Sequence, residues 1–200
     1  MDGNPTATGD IPRPQRDGHR EDSRRGAGFQ DMTVDQVRPL TNDGWGFDSS
    51  CFVCEPRNAA GLQIPFHHDV AAQRVVAEFS LHERFSGAPQ HVHGGVSLAI
   101  LDEAMAWAAI AIAGRFAVTT ETTSRFERPV KISRAHTVRA WIDDVDGRLI
   151  HTCAEIVDAR DRRCVTSAAV FTSLDVEQAG DAAGVAITGD AAAYTTRSSS

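Results

Sequence analysis

One segment limits what this chain can fold into more than any other: residues 91–114, HVHGGVSLAILDEAMAWAAIAIAG. From Val96 to Ala113 every residue is apolar or small except Ser97 and the adjacent acids Asp102 and Glu103. The run approaches the length of a membrane span, about 20 residues. Each acid would be costly at a bilayer centre, so the expectation is a core helix from about Gly95 to Ala113, with no membrane association. A helix that is apolar nearly all round must be buried on most of its sides.

The flanking segments say what surrounds it. LQIPFHH and AQRVVAEFSL, before the helix, read as a pair of strands. AVTTETTSRFERPV, HTVRAWIDDV, RLIHTCAEIVD and RRCVTSAAVFTSL, after it, are β-branched or alternating and read as four more. Asp146-Gly147 is a hairpin turn, and residues 159–161 form a second. Strands, one long helix, then strands joined mostly by tight turns define an α+β domain. A curved antiparallel β-sheet wrapped around one long central α-helix satisfies this order. The domain is expected over residues 46–175. Residues 1–45, rich in Gly, Pro, Asp and Arg, read as a disordered arm with a short helix possible around MTVDQVRPL. Residues 176–200 read as a disordered tail.

Charge and cysteine usage narrow the function. The net charge is -7, and the 20 basic residues are scattered rather than clustered, which argues against a nucleic-acid partner. The polar, charged start lacks the apolar core of a secretory leader. The 4 cysteines, Cys51, Cys54, Cys153 and Cys164, are then expected to be reduced thiols in a cytoplasmic protein.

The helix start is the candidate for chemistry. Helix N-termini present unpaired N–H groups and a partial positive charge. Glycines there let a ligand approach the backbone. Within His93-Gly94-Gly95, the backbone can hold a carbonyl oxygen that gains charge during acyl transfer. A carboxylate in an apolar helix is costly unless paired or used, and Asp102 is the second candidate. Gly94 and Asp102 are eight residues apart, about 12 Å along a helix rising 1.5 Å per residue. An oxyanion donor and a base must both lie within roughly 3 Å of one reacting carbonyl and its water. Two antiparallel copies of the helix meet that requirement where one copy cannot, so the sequence points to a site shared across a two-fold dimer.

HVHGGVSLAILDEA resembles the HGG-x6-Asp/Glu helix of hotdog-fold acyl-CoA thioesterases, close to the phenylacetate-pathway (PaaI-like) type. AVTTETTSRFERPV resembles that family's strand after the helix. CFVCEPRNAAGLQI resembles the Cys-x-x-Cys…Asn-x-x-Gly-Leu opening of one branch of it. The resemblance covers residues 51–174. It implies a hotdog fold, sheet-to-sheet dimers that often pair into tetramers, and hydrolysis of an acyl-CoA without metal or redox cofactor. It assigns Asp102 as general base or nucleophile and Gly94 as the donor that polarises the thioester carbonyl. It makes His93 the residue that shapes the loop, and Thr119 a hydroxyl that places the water. There is one departure. Relatives often carry Asn or Gln seven residues before the oxyanion glycine, and here that position is Gly87. Gln90 or His91, in the same loop, could substitute, and Gly95 adjoins the bound carbonyl. The alternative to an enzyme is a protein of this fold that binds acyl-CoA without turnover.

Other residues invite functional readings. Arg125, Arg128, Lys131 and Arg134 flank the proline strand and could meet coenzyme A phosphates. Cys51-x2-Cys54 has the spacing of half a zinc site. Cys153, Cys164, His67, His68, His82, His91 and His93 are possible partners, but no second Cys-x-x-Cys or His-x3-His follows, so no metal is expected. Cys153 and Cys164, on neighbouring strands, read as core residues. Met105 and Trp107 read as core or as the lining of an acyl tunnel, and Trp45 and Phe52 as a cap on the fold or a cover over the site.

Overall fold

A computed structural model describes residues 37–43, 49–188 and 194–195. Seven strands form one antiparallel sheet in the order β1-β2-β3-β7-β8-β9-β6. They are β1 (Val37–Leu40), β2 (Phe66–Asp69), β3 (Arg74–Phe79), β6 (Ala117–Phe126), β7 (His136–Asp146), β8 (Leu149–Asp158) and β9 (Arg163–Ser173). A small hairpin, β4 (Ser86–Ala88) with β5 (His91–Val92), leads into helix α1 (Gly94–Ala111). The long strands follow their alternating patterns. β9 buries Cys164, Val165, Ser167, Ala169, Phe171 and Ser173, and β7 buries His136, Val138 and Ala140. Gly147 and Asp161 take positive φ, 56° and 58°, at the two turns that join β7 to β8 and β8 to β9.

α1 packs across the sheet, against β7 and β8 and also β2, β3, β6 and β9. Its buried face is Ser97, Ile100, Leu101, Ala104, Met105 and Ala108, the i, i+3, i+4 stripe of a helix lying on a sheet. Met105 and Trp107 join Phe66, Ile150, Ile156 and Phe171 in the core. The opposite face is only partly covered within the chain. It carries Leu98, Ala99, Asp102, Glu103 and Ala106. The expectation of burial on most sides is thus met on one face, and the acids stand on the other.

Two stretches differ from the sequence reading. Val37–Leu40, inside the segment read as a disordered arm with a short helix possible, is an edge strand paired with β2. Arg38 and Pro39 are exposed there, as suits a sheet edge. Val176–Ala183, inside the segment read as a tail, is a helix, α2. Asp175 and Gln178 form a capping box at its start, and Gly184 closes it at φ 71°. An Asp three residues before Gln is a legible start signal that the tail's Ala-Gly composition hid. Trp45 and the first 36 residues lie outside the described residues.

Candidate active site

The helix start is built by the hairpin before it. His93 is the N-cap of α1, and its Nδ1 accepts a hydrogen bond from the Gly95 N–H at 2.9 Å. Its carbonyl accepts from Val96 and Ser97, and its own N–H donates to Phe85. The histidine therefore shapes the loop, and the Gly95 N–H is committed to it rather than open to a ligand. The Gly94 N–H is different. As the first amide of the helix it has no carbonyl behind it, and it has no hydrogen-bond partner among the described residues. A Cβ on Gly94 would lie 3.6 Å from the Phe126 ring, an ordinary contact, so nothing within the chain crowds this amide.

Gly87 acquires a reason of its own. A Cβ there would stand 2.9 Å from the Cα of His93 and 3.0 Å from its Cδ2. β4 passes directly under the cap, and only glycine leaves room for it. Gln90, in the β4–β5 turn, is exposed with φ 68°, and its carbonyl accepts from the Ile132 N–H.

Asp102 lies about two turns farther along α1, half-exposed. Its Oδ1 accepts a hydrogen bond from Thr119 Oγ1 at 2.7 Å. Thr119 sits where the pairing of β6 with β9 slips, between Thr119 and Glu121. A bulge of this kind re-aims a side chain, here toward the helix. The bond fixes the carboxylate rotamer and leaves its second oxygen open. The structure thus brings Asp102 and Thr119 together, and His93, Gly94 and Gly95 together. It keeps these two groups at different places along α1 within one chain.

β6 connects the two groups. It is the last strand of the sheet, and among the described residues only β9 pairs with it. Val118 is 44% exposed and Phe126 53% exposed on it. Thr119 marks the Asp102 end of this edge, and Phe126, against Gly94, marks the helix-start end. Arg125 is exposed on β6. Arg128 is committed to its own chain, donating from Nη1 to the Arg163 carbonyl at 2.7 Å.

Glu103, left without a role by the sequence, faces the Cys51–Cys54 loop. Cys51 Sγ lies 3.4 Å from Glu103 Oε2. Burial, with Cys51 beside it, pushes the Glu103 carboxyl up to about 7. Cys153 and Cys164 lie on β8 and β9 as expected, and burial raises both thiols, Cys153 to about 11.

A sheet wrapped on one long helix, with a glycine helix start and a carboxylate on the helix, defines the hotdog class. Residues 89–165, from the hairpin through the first residues of β9, match the family profile of the thioesterase superfamily. The fold is that of the hotdog class, and the matched stretch, less than half of the chain, is similar to the thioesterase superfamily. The chain is similar to a thioesterase superfamily protein of known crystal structure, with 30% identity and a TM-score of 0.56. That match covers 59% of this chain and spans 57% of the other. It is also similar to the E. coli PaaI protein from the phenylacetic acid degradation operon, at 20% identity and TM-score 0.48, over 51% of this chain and 73% of that one. A hypothetical thioesterase from Streptococcus pneumoniae, solved with coenzyme A, shares 14% identity at TM-score 0.48, over 50% of this chain and 77% of that one. No curated protein matches the sequence significantly.

Proposed function

We propose that this protein is a PaaI-like acyl-CoA thioesterase whose active site is shared by two subunits. The observation that carries the reading is the placement of Asp102, held by Thr119 beside an open sheet edge, while the unpartnered Gly94 amide lies against Phe126 farther along the same edge. If β6 pairs antiparallel with its copy about a two-fold between Thr122 and Thr123, Thr119 falls opposite the partner's Phe126. Asp102 then faces the partner subunit's Gly94 helix start. The half-exposed face of α1 becomes interior in such a dimer, which gives the apolar Leu98 and Ala106 a place.

The reaction follows from these groups. Asp102 takes a proton from water, and the hydroxide adds to the thioester carbonyl carbon. The partner's Gly94 N–H and the dipole behind it stabilise the oxygen as it gains charge. The C–S bond then breaks, and the thiolate takes the proton held by Asp102. One water is consumed, and one acid and one thiol form. A thiolate leaves readily, so a carboxylate, a water and one oxyanion donor suffice. Arg125, exposed on β6, is the arginine free to meet the coenzyme's phosphates; Arg128 is already engaged. A reducing, cytoplasmic setting belongs to the same reading and would keep the four cysteines as thiols.

The test is thiol release from short, long and aromatic acyl-CoAs by wild type and Asp102→Asn. The wild type turns over at least one class. The variant, lacking the base, loses about 10²–10⁴-fold in kcat with little change in KM. Binding of acyl-CoA without turnover by the wild type would favour the non-catalytic alternative.

A further inference from the structure

The loop before β2 is built to present two thiols. A Cβ on Gly61 would meet the Phe52 carbonyl at 2.5 Å, so only glycine permits the crossing of this loop on itself. Asn58 Nδ2 donates to the Ser50 and Cys51 carbonyls, the Leu62 N–H to the Phe52 carbonyl, and the Ile64 N–H to the Val53 carbonyl. The Asn-x-x-Gly-Leu part of the motif thus folds the loop without using either sulfur. What remains is Cys51 and Cys54, turned toward α1. The Val53 N–H donates to Cys51 Sγ at 3.3 Å, the backbone-to-sulfur bond that favours a thiolate.

These sulfurs converge on Glu103. Cys51 Sγ, Cys54 Sγ and a Glu103 carboxylate oxygen all lie within 4.8 Å of one another, each side chain half-buried. Among the described residues no cation pairs with them. Two thiols and a carboxylate held together at a partly buried point repel as they ionise, and without a cation the cluster must keep protons to limit its charge. Tetrahedral zinc, with Zn–S near 2.3 Å and Zn–O near 2.1 Å, sets its ligand atoms about 3.6–3.8 Å apart. Cys51 Sγ and Glu103 Oε2 already stand at 3.4 Å, and the other pairs reach that spacing by closing at most about 1.2 Å, within ordinary rotamer adjustment.

We propose that Cys51, Cys54 and Glu103 bind a zinc ion, with solvent in the fourth position. Two soft thiolates and one carboxylate suit zinc over magnesium or calcium, which take oxygen ligands. Asn42 Nδ2 donates to Cys54 Sγ at 3.9 Å, an outer contact that steadies that ligand. Binding releases to solvent the protons the thiols and Glu103 still hold. The ion ties the 51–64 loop to α1 at the residue next to Asp102, and so makes it a positioning element for that carboxylate. The proposal does not depend on the thioesterase reading, since metal content is read without turnover.

The experiment uses the full chain, reduced and supplied with zinc, then with cobalt as a spectroscopic probe. Wild type and Cys153→Ser are expected to carry about one zinc per chain by elemental analysis, and Cys51→Ser/Cys54→Ser less than about a tenth of that. Glu103→Gln is expected to bind measurably more weakly. Cobalt in the wild type should give a thiolate-to-metal charge-transfer band and the strong visible bands of tetrahedral coordination. The cobalt spectrum is read on wild type itself, so a variant that fails to fold does not blunt the test. Wild type that takes up neither metal with its thiols reduced would overturn the proposal. So would a Cys51–Cys54 disulfide forming in air with no metal uptake before it, or loss of metal in Cys153→Ser alone.

Discussion

Gly87 illustrates how a single residue reads differently in sequence and in space. Set against relatives, it is a missing Asn or Gln. In the structure it is the floor under the His93 cap, with 2.9 Å available where a Cβ would go. Restoring the relatives' side chain should therefore harm this protein. Gly87→Asn is expected to lower stability by about 1–3 kcal/mol, the usual cost of overpacking, and to reduce turnover by displacing the cap. Thermal melts with parallel thiol-release assays check both, and a gain in activity without loss of stability would refute the packing argument. The neighbouring residues were more legible. Asp102 stood out because a carboxylate in an apolar helix needs a reason, and Thr119 does hold it. Gly95 and Arg128, read as ligand contacts, each already have a partner within the chain. Nothing in their spacing reveals that His93 Nδ1 claims one and the Arg163 carbonyl the other. Glu103 was left without a role because its partners are about 50 residues away in sequence, beyond any local pattern.

Among the elements, β6 carries the most consequence. Its sequence reads as a strand, but whether a strand is central or at an edge is set by long-range pairing, which periodicity does not encode. The structure puts it last in the sheet, with Val118 and Phe126 exposed. A long exposed edge of this kind, with Val118 and Phe126 near its two ends, is a pairing surface unless blocked. Val118→Glu with Phe126→Glu should turn the proposed dimer into a monomer by light scattering and remove activity while the circular dichroism of the sheet persists. A variant that stays dimeric and active would move the interface elsewhere. α1 and the four long strands after it were legible because their periods of 3.6 and 2 are long and clean. β1, the β4–β5 hairpin and α2 were not, since each is short and owes its form to a neighbour or a cap.

At the scale of the whole molecule, stability and assembly are both testable. His136 is buried against Phe79, with ring centroids 5.7 Å apart, and its Nδ1 lies 2.9 Å from the Arg134 carbonyl. Burial lowers its pKa, with the Arg134 carbonyl and Asp158 opposing in part. The folded state thus binds the proton less well than the unfolded one, whose histidines titrate near about 6.5. The stability is fully present above that value and is lost as pH falls below it. Burial also lowers His67 and His68, with the same sign. The melting temperature should fall between about pH 6.5 and 5, and His136→Gln should flatten part of that slope. An unchanged slope in the variant would contradict the assignment. The central claim, that one site needs Asp102 from one subunit and Gly94 from the other, is tested by mixing two dead proteins. Gly94→Pro removes only the N–H, since proline is tolerated at the first helical position and His93, at φ -59° and ψ 134°, already has the conformation that precedes proline. Asp102→Asn and Gly94→Pro, each inactive alone, are co-folded in equal amounts. Random pairing makes about half the dimers mixed, each with one intact site, so activity should return to about a quarter of wild type. Activity no greater than the sum of the two variants alone would show that the two groups do not meet across a dimer.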